Sequence, residues 1–317
     1  MKEIGGYFQL ELNPQQASFP QADGICVNTG RNALEYILQV LAVKTLYIPY
    51  FTCDVVLEPL HKLGVNIQYY RINQQLELAE PITLAQDEYL LYTNYYGIKD
   101  AYVAQLAPAY GQQLIVDNAQ ALYAPYHEGI QAFWSPRKYV GIPDGGIVKT
   151  TYQEVVVLEN DCSYDRCSHL LKRHDLGAGS GYADFKENSA KLKMLPICKM
   201  SALTQSLMNS IGFESIKQQR RANFEFLHQA LGDSNRLQIP VSDSFACPMV
   251  YPYLTADDGL KQKLIQHKVF VATYWPNVFQ WCAPDSLEYQ LTDKIIAIPI
   301  DQRYGEEEME SMLKLII

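Results

Sequence analysis

The sequence contains no apolar run that approaches the roughly 18 consecutive residues a membrane-spanning helix needs. Its start, Met1-Lys2-Glu3-Ile4-Gly5-Gly6, lacks the apolar centre of a secretory signal. Positive charge is scarce. Lys and Arg total 26 against 35 Asp and Glu, a formal net charge of −9. Such a chain repels nucleic-acid phosphates unless a local basic patch forms. The best candidate patch, Lys217-Gln218-Gln219-Arg220-Arg221, falls in an amphipathic helical stretch and reads better as a solvated helix face. The cysteines (Cys26, Cys53, Cys162, Cys167, Cys198, Cys247 and Cys282) are odd in number and lack close pairs. No His or Cys cluster follows them at zinc-ligand spacing, so neither a disulfide framework nor a metal site is expected. There is no internal repeat and no low-complexity segment. These absences argue against membrane insertion and nucleic-acid binding, and for a reduced, soluble, cytoplasmic protein.

What is present fits a globular α/β chain. The 317 residues are 48% hydrophobic and 19% charged, enough for one large domain and a smaller one. Short apolar strands are expected at Gly24–Asn28, Thr45–Pro49, Asn66–Arg71, Tyr89–Thr93, Leu114–Asp117, Ala132–Trp134 and Gly146–Thr150. Helical spacing separates the earlier strands at Asn32–Ala42, Cys53–Leu63 and Tyr102–Tyr110. That alternation predicts a mostly parallel sheet with helices on both faces. The stretch from Gln153 to Pro196 is polar and weakly periodic, with a mobile loop expected around Gly177-Ala178-Gly179-Ser180-Gly181. Its glycine spacing is wrong for a dinucleotide fingerprint. Met200–Leu231 reads as long helices broken near Gly212. A large domain over 1–238 and a small α+β domain over 239–317 are expected. The small one carries strands at Met249–Leu254, Val269–Ala272 and Ile295–Pro299, with helices at Asp258–His267 and Glu306–Ile317.

The chemistry centres on Lys138. Leu114-Ile115-Val116-Asp117 reads as a buried strand ending on an acid, and Ser135-Pro136-Arg137-Lys138 follows the next strand. A pyridoxal phosphate site needs this pair. The lysine amine forms a Schiff base with the cofactor aldehyde, and the acid keeps the pyridine nitrogen protonated. An isolated lysine is more often solvated surface, and an acid at a strand end is often a helix cap. What favours the functional reading is a plausible phosphate loop, Asn28-Thr29-Gly30-Arg31-Asn32, where a strand meets a helix. Ser135 can reach the same phosphate. Ala119 leaves room for a flat ring, Gln120 can donate to the ring's phenolic oxygen, and Asn94 can contribute from the neighbouring strand. Thr93, Asp117 and Ser135 all fall at strand carboxyl ends, where parallel sheets bind ligands.

On these residues the chain resembles the DegT/DnrJ/EryC1/StrS aminotransferases, which are fold-type-I pyridoxal phosphate enzymes. Gly30-Arg31-Asn32-Ala33-Leu34 is similar to that family's Gly-Thr-x-Ala-Leu phosphate loop. Pro49-Tyr50-Phe51-Thr52 resembles its Pro-x-Phe-Thr turn, and Asn94-Tyr95-Tyr96-Gly97 its His-Leu-Tyr-Gly. Asp117-Asn118-Ala119-Gln120-Ala121 resembles Asp-Ala-Ala-Gln-Ala. Lys138 with Asp144-Gly145-Gly146 resembles the lysine followed by Gly-Glu-Gly-Gly, and Ile298-Pro299-Ile300 the Leu-Pro-Ile strand. The resemblance implies pyridoxal 5'-phosphate as cofactor and transfer of an amino group from glutamate to a keto sugar on a nucleotide. It also implies a homodimer with sites completed across the subunit boundary.

The departures are specific. Arg31 replaces a threonine. Its side chain either adds a charged contact to the phosphate or turns away and leaves only its backbone N–H. Cys53 stands where an aromatic residue stacks on the ring, with Tyr50, Phe51 and Tyr95 as substitutes. Phe133 stands where the family has a serine. Two other functions remain open: dehydration or deoxygenation of a sugar by the same cofactor, which relatives perform with histidine in place of the lysine, and a binding or regulatory role without turnover. Tyr274, Trp275 and Asn277 either line a sugar pocket or belong to the core.

Overall fold

The computed structural model describes residues 6–15, 18–152 and 157–317. The expectations for Met1–Gly5, and for the start of the polar stretch at Gln153, lie outside those residues. The described residues form nine strands: β1 (Ile25–Val27), β2 (Thr45–Pro49), β3 (Asn66–Tyr70), β4 (Glu88–Thr93), β5 (Leu114–Asn118), β6 (Gln131–Trp134), β7 (Gly146–Lys149), β8 (Val250–Leu254) and β9 (Ile295–Pro299). The first part of the chain supplies helices α1 (Gly30–Val40), α2 (Leu57–Leu63) and α3 (Asp100–Tyr110). The middle supplies α4 (Ser168–Leu176), α5 (Tyr182–Lys191), α6 (Ala202–Asn209) and α7 (Phe213–Leu231). The end supplies α8 (Leu260–Gln266), α9 (Val278–Trp281), α10 (Leu287–Lys294) and α11 (Glu306–Ile316).

Seven strands form one sheet in the order β1-β7-β6-β5-β4-β2-β3. The run β3-β2-β4-β5-β6 is parallel, while β7 and β1 are antiparallel to their neighbours. Alternation along each strand divides its side chains between two cores. Leu91, Ile115, Phe133 and Val148 face α1 and pack on Ala33, Leu34, Ile37 and Leu38. Leu90, Tyr92, Val116 and Trp134 face the opposite side and join a core that includes α7 and both strands of the smaller β8-β9 sheet. Fully burying a leucine or isoleucine contributes about 1.5–3 kcal/mol, so the apolar stripe of α1 fixes its seat on the sheet. That seat places the start of α1 over the carboxyl ends of the parallel strands.

Two expectations need correction, and two helices went unforeseen. Gly177-Ala178-Gly179-Ser180-Gly181 is a short link between two helices, α4 and α5, rather than part of a long loop. Gly181 stands against α4, where a Cβ would meet the His169 carbonyl oxygen at 2.8 Å. Val269–Ala272 forms only an isolated bridge, Ala272 to Ala297, because β9 already pairs with β8. Helices α9 and α10 were hidden by their shortness and mixed polarity.

Candidate active site

The register of the parallel strands assembles the site. Thr93 on β4 stands beside Asp117 on β5, and Asp117 beside Phe133 on β6. Parity puts all three on the α1 side, at the carboxyl ends of their strands. They open into a cavity of about 430 Å³, lined also by Thr29, Gly30, Arg31, Cys53, Ala119, Gln120, Ser135 and Lys138.

Each wall has a local cause. Thr29 caps α1: in extended backbone, its hydroxyl accepts the Asn32 N–H at 3.0 Å. The positive end of α1 thereby points at the cavity. Gly146 lets the strand after the lysine press against this turn, since a Cβ there would stand 2.2 Å from the Thr29 carbonyl oxygen. Ser135, Pro136 and Arg137 turn the chain so that Lys138 follows one short 3-10 turn after β6. Lys138 is exposed to the cavity, and its amine makes no ion pair or hydrogen bond with a described residue.

Asp117 is buried, and its Oδ1 accepts the Ala119 N–H at 2.8 Å. Burial pushes its carboxyl above the usual range, opposed by the Lys138 charge and the Ala119 N–H. Burial likewise raises the Cys53 thiol, again opposed by Lys138. Lys138, Asp117 and Cys53 line one cavity, and the lysine charge acts on both of the other groups. Several polar atoms of this pocket have no partner: Gln120 Nε2 and Thr93 Oγ1 are buried without a hydrogen bond. Buried polar groups are normally satisfied, so orphans converging on one cavity mark a place for a polar ligand.

Of the ten residues expected from the sequence to hold the cofactor, eight line this cavity: Gly30, Arg31, Cys53, Asp117, Ala119, Gln120, Ser135 and Lys138. Two do not. The Asn32 amide donates to Leu195 O and Glu35 Oε2, tying α1 to the segment after α5. The Asn94 amide donates to Asp100 and Asn118, and its oxygen accepts the Lys99 N–H. Asn94 thus spends its polar atoms on the end of β5 and the start of α3.

No family model and no curated protein matches the chain in sequence. Solved structures do match it in shape. Superposition on DesV from S. venezuelae, in complex with a ketimine intermediate, gives a TM-score of 0.65 at 14% identity, covering 92% of this chain and 83% of that one. TlmJ, an aminotransferase from Streptoalloteichus hindustanus, gives 0.64 at 15% identity over 92% and 84% of the two chains. A DegT DnrJ EryC1 StrS aminotransferase from Brucella abortus gives 0.62 at 14% identity over 92% and 84%. The chain has the fold of these aminotransferases.

Within this aminotransferase fold, the aromatic wall differs from the one expected. Phe51 and Tyr95 are fully buried behind the cavity and tilt against each other at 5.5 Å, while Tyr50 stacks on Tyr69 at 4.8 Å. None of the three lines the pocket; Phe133, Phe185, Tyr274 and Trp275 do. Burial pushes the Tyr274 hydroxyl up to about 12, so it is a proton-bearing donor near neutral pH. Asn277 serves the backbone instead, donating to Thr52 O at 2.9 Å.

Sequence reading missed Arg220. It is 2% exposed rather than on a solvated face, and lines the cavity. Its guanidinium donates to Met249 O, Tyr139 O and Gln302, and lies 4.6 Å from the Tyr139 ring centroid. Helical spacing held the signal, because Arg220 shares a stripe with buried Ile216, Asn223, Phe224 and Leu227. No helix among the described residues is long and apolar enough to cross a membrane.

Proposed function

We propose that this chain is a pyridoxal-phosphate-dependent aminotransferase that moves an amino group from glutamate to a keto sugar carried on a nucleotide. The observation that carries the reading is the pairing of Lys138 with Asp117 across one cavity: an unpartnered amine facing a buried carboxylate at the end of β5.

The residues present fit the cofactor. Gln120 Nε2 is an orphaned donor, Ser135 offers a hydroxyl without a side-chain partner, and Gly30 gives close access to the positive end of α1. Pyridoxal phosphate, when bound, supplies an electron sink that weakens bonds at the amino-bearing carbon. Asp117 would hold the ring nitrogen and, by its charge, keep a proton there. Ala119, small and at the strand end, would leave one ring face open, and Gln120 would donate to the phenolic oxygen. Lys138 would hold the cofactor and then, once free, carry a proton to and from the substrate carbon. Tyr274 and Trp275 supply the wall that excludes water from the substrate side.

Shape likeness supports the same chemistry. DesV was solved with a ketimine intermediate, and DesI in the presence of its TDP-sugar product. Lysine rather than histidine at 138 favours amino transfer over dehydration. A homodimer in the cytoplasm is the setting that goes with this reading. Glutamate added to the purified yellow protein should bleach its visible absorption and release one equivalent of 2-oxoglutarate per site. A spectrum indifferent to glutamate and to other amino donors would contradict transamination.

A further inference from the structure

The cup at the start of α1 holds two arginines in different electrostatic situations. Arg31 is already engaged: its Nη1 donates to Leu192 O at 2.9 Å, and its Nε lies 3.3 Å from Glu58 Oε2. Glu58 stands against its charge and Nη1 tethers the end of α5, while Nε itself makes no hydrogen bond. Arg137 is half-buried and makes no ion pair or hydrogen bond with a described residue. Its guanidinium stands 5.9 Å from the Phe185 ring centroid. It lines the same cavity as Thr29, Gly30 and Ser135. Burial and the nearby Arg31 charge both work against its ionisation. A half-buried guanidinium without a partner favours an anion beside it.

Ser135 gives an independent pointer. It is 8% exposed, its side chain has no hydrogen-bond partner among the described residues, and its Oγ stands 3.3 Å from the Cβ position of Gly30. An unpartnered hydroxyl, the positive end of an 11-residue helix and an unpaired guanidinium line one cavity. Guanidinium presents parallel N–H groups that match two oxygens of a phosphate.

We propose that Arg137, with Ser135 and the start of α1, binds the cofactor's phosphate, and that Arg31 instead tethers the wall beside it. This rests on the pyridoxal phosphate reading of the cavity. It assigns the charge of the phosphate site to the residue immediately before the reactive lysine, so one short turn delivers both. Arg137 also borders an adjoining cavity of about 650 Å³ with His169, Arg173 and His174. A role toward a substrate anion there is the alternative that the test separates.

The test compares binding of pyridoxal phosphate with binding of pyridoxal, which lacks the phosphate, to cofactor-free protein by equilibrium dialysis. Loss of a charged hydrogen-bonded contact predicts that Arg137→Gln lowers the preference for the phosphorylated form by about tenfold to a hundredfold. Pyridoxal affinity should stay as in the parent protein. Arg137→Lys, which keeps the charge, should lose less, and it carries the comparison if the glutamine variant does not fold. Arg31→Gln should change the preference less than Arg137→Gln. An unchanged preference in Arg137→Gln, or a larger loss in Arg31→Gln, would overturn the assignment while leaving the cofactor reading standing. A parent protein that shows no preference for the phosphorylated form would overturn both.

Discussion

Gly30 approaches Ser135 so closely that a Cβ on Gly30 would stand 3.2 Å from the serine Cβ and 3.3 Å from its Oγ. The start of α1 and the turn before Lys138 are therefore one surface, built from segments about a hundred residues apart in the chain. A methyl group at this contact pushes the hydroxyl away by a few tenths of an ångström. Gly30→Ala should weaken retention of pyridoxal phosphate by about tenfold, the scale of one hydrogen bond to a charged group. Pyridoxal binding should barely change. Equal losses for both ligands would mean that Gly30 supports the fold rather than the phosphate.

Gly146 faces a harder limit. Its Cβ position lies 2.2 Å from the Thr29 carbonyl oxygen and 2.9 Å from the Gly30 nitrogen. Backbone on the opposing side cannot rotate away as a side chain can. Gly146→Ala should cost about 3 kcal/mol or more in urea unfolding, the upper end of overpacking penalties. A midpoint shift worth less than about 1 kcal/mol would show that the two segments separate easily.

Asp117 sets a trade between stability and function. In cofactor-free protein, burial raises its carboxyl above the unfolded value. The native state then binds more protons than the unfolded chain. Stability is full below the unfolded carboxylate range and falls as pH rises through the native value. Asp100 and Asp144 shift in the same direction, so Asp117 accounts for part of that slope. Asp117→Asn should flatten it and raise the Tm of cofactor-free protein at neutral pH by about 1–4 °C. The same variant should lose most turnover, because a neutral amide cannot keep a proton on the ring nitrogen. Normal turnover in Asp117→Asn would reduce Asp117 to a structural role.

Arg220 joins α7 to the start of β8 and the turn after Lys138 through Met249 O and Tyr139 O. Its charge has no direct carboxylate partner, and Asp301 acts on it only at longer range. Arg220→Met keeps the stem but strands the buried Met249 carbonyl, whereas the Tyr139 carbonyl keeps the Gln302 amide. Chemical denaturation should show a loss of about 3 kcal/mol, the scale of breaking a buried charged group's contacts. Stability within about 0.5 kcal/mol of the parent would mean that water satisfies the Met249 carbonyl.

The parallel sheet was legible because its strands are short apolar runs separated by helices of clear 3.6-residue spacing, as in Leu114–Asp117 after Tyr102–Tyr110. The small sheet was harder to read. Val269–Ala272 has strand-like composition, yet β9 pairs with β8 and leaves it one bridge. Lys138, Asp117 and Ser135 could be found because each sits at or just after a strand end. Asn94 sits at such an end too, but its amide turns to Asp100, a contact six residues along that no local pattern announces. Arg137 escaped notice because an arginine beside a lysine looks like surface charge; only its lack of partners inside the cavity distinguishes it.

The central claim is that Lys138 carries the cofactor covalently. Borohydride treatment of the purified protein, followed by peptide mass analysis, tests it directly. The expected result is loss of the visible absorption and a pyridoxyl adduct on the peptide containing Lys138, both absent in Lys138→Ala. A reducible adduct that survives in Lys138→Ala, or no adduct in protein saturated with pyridoxal phosphate, would contradict it.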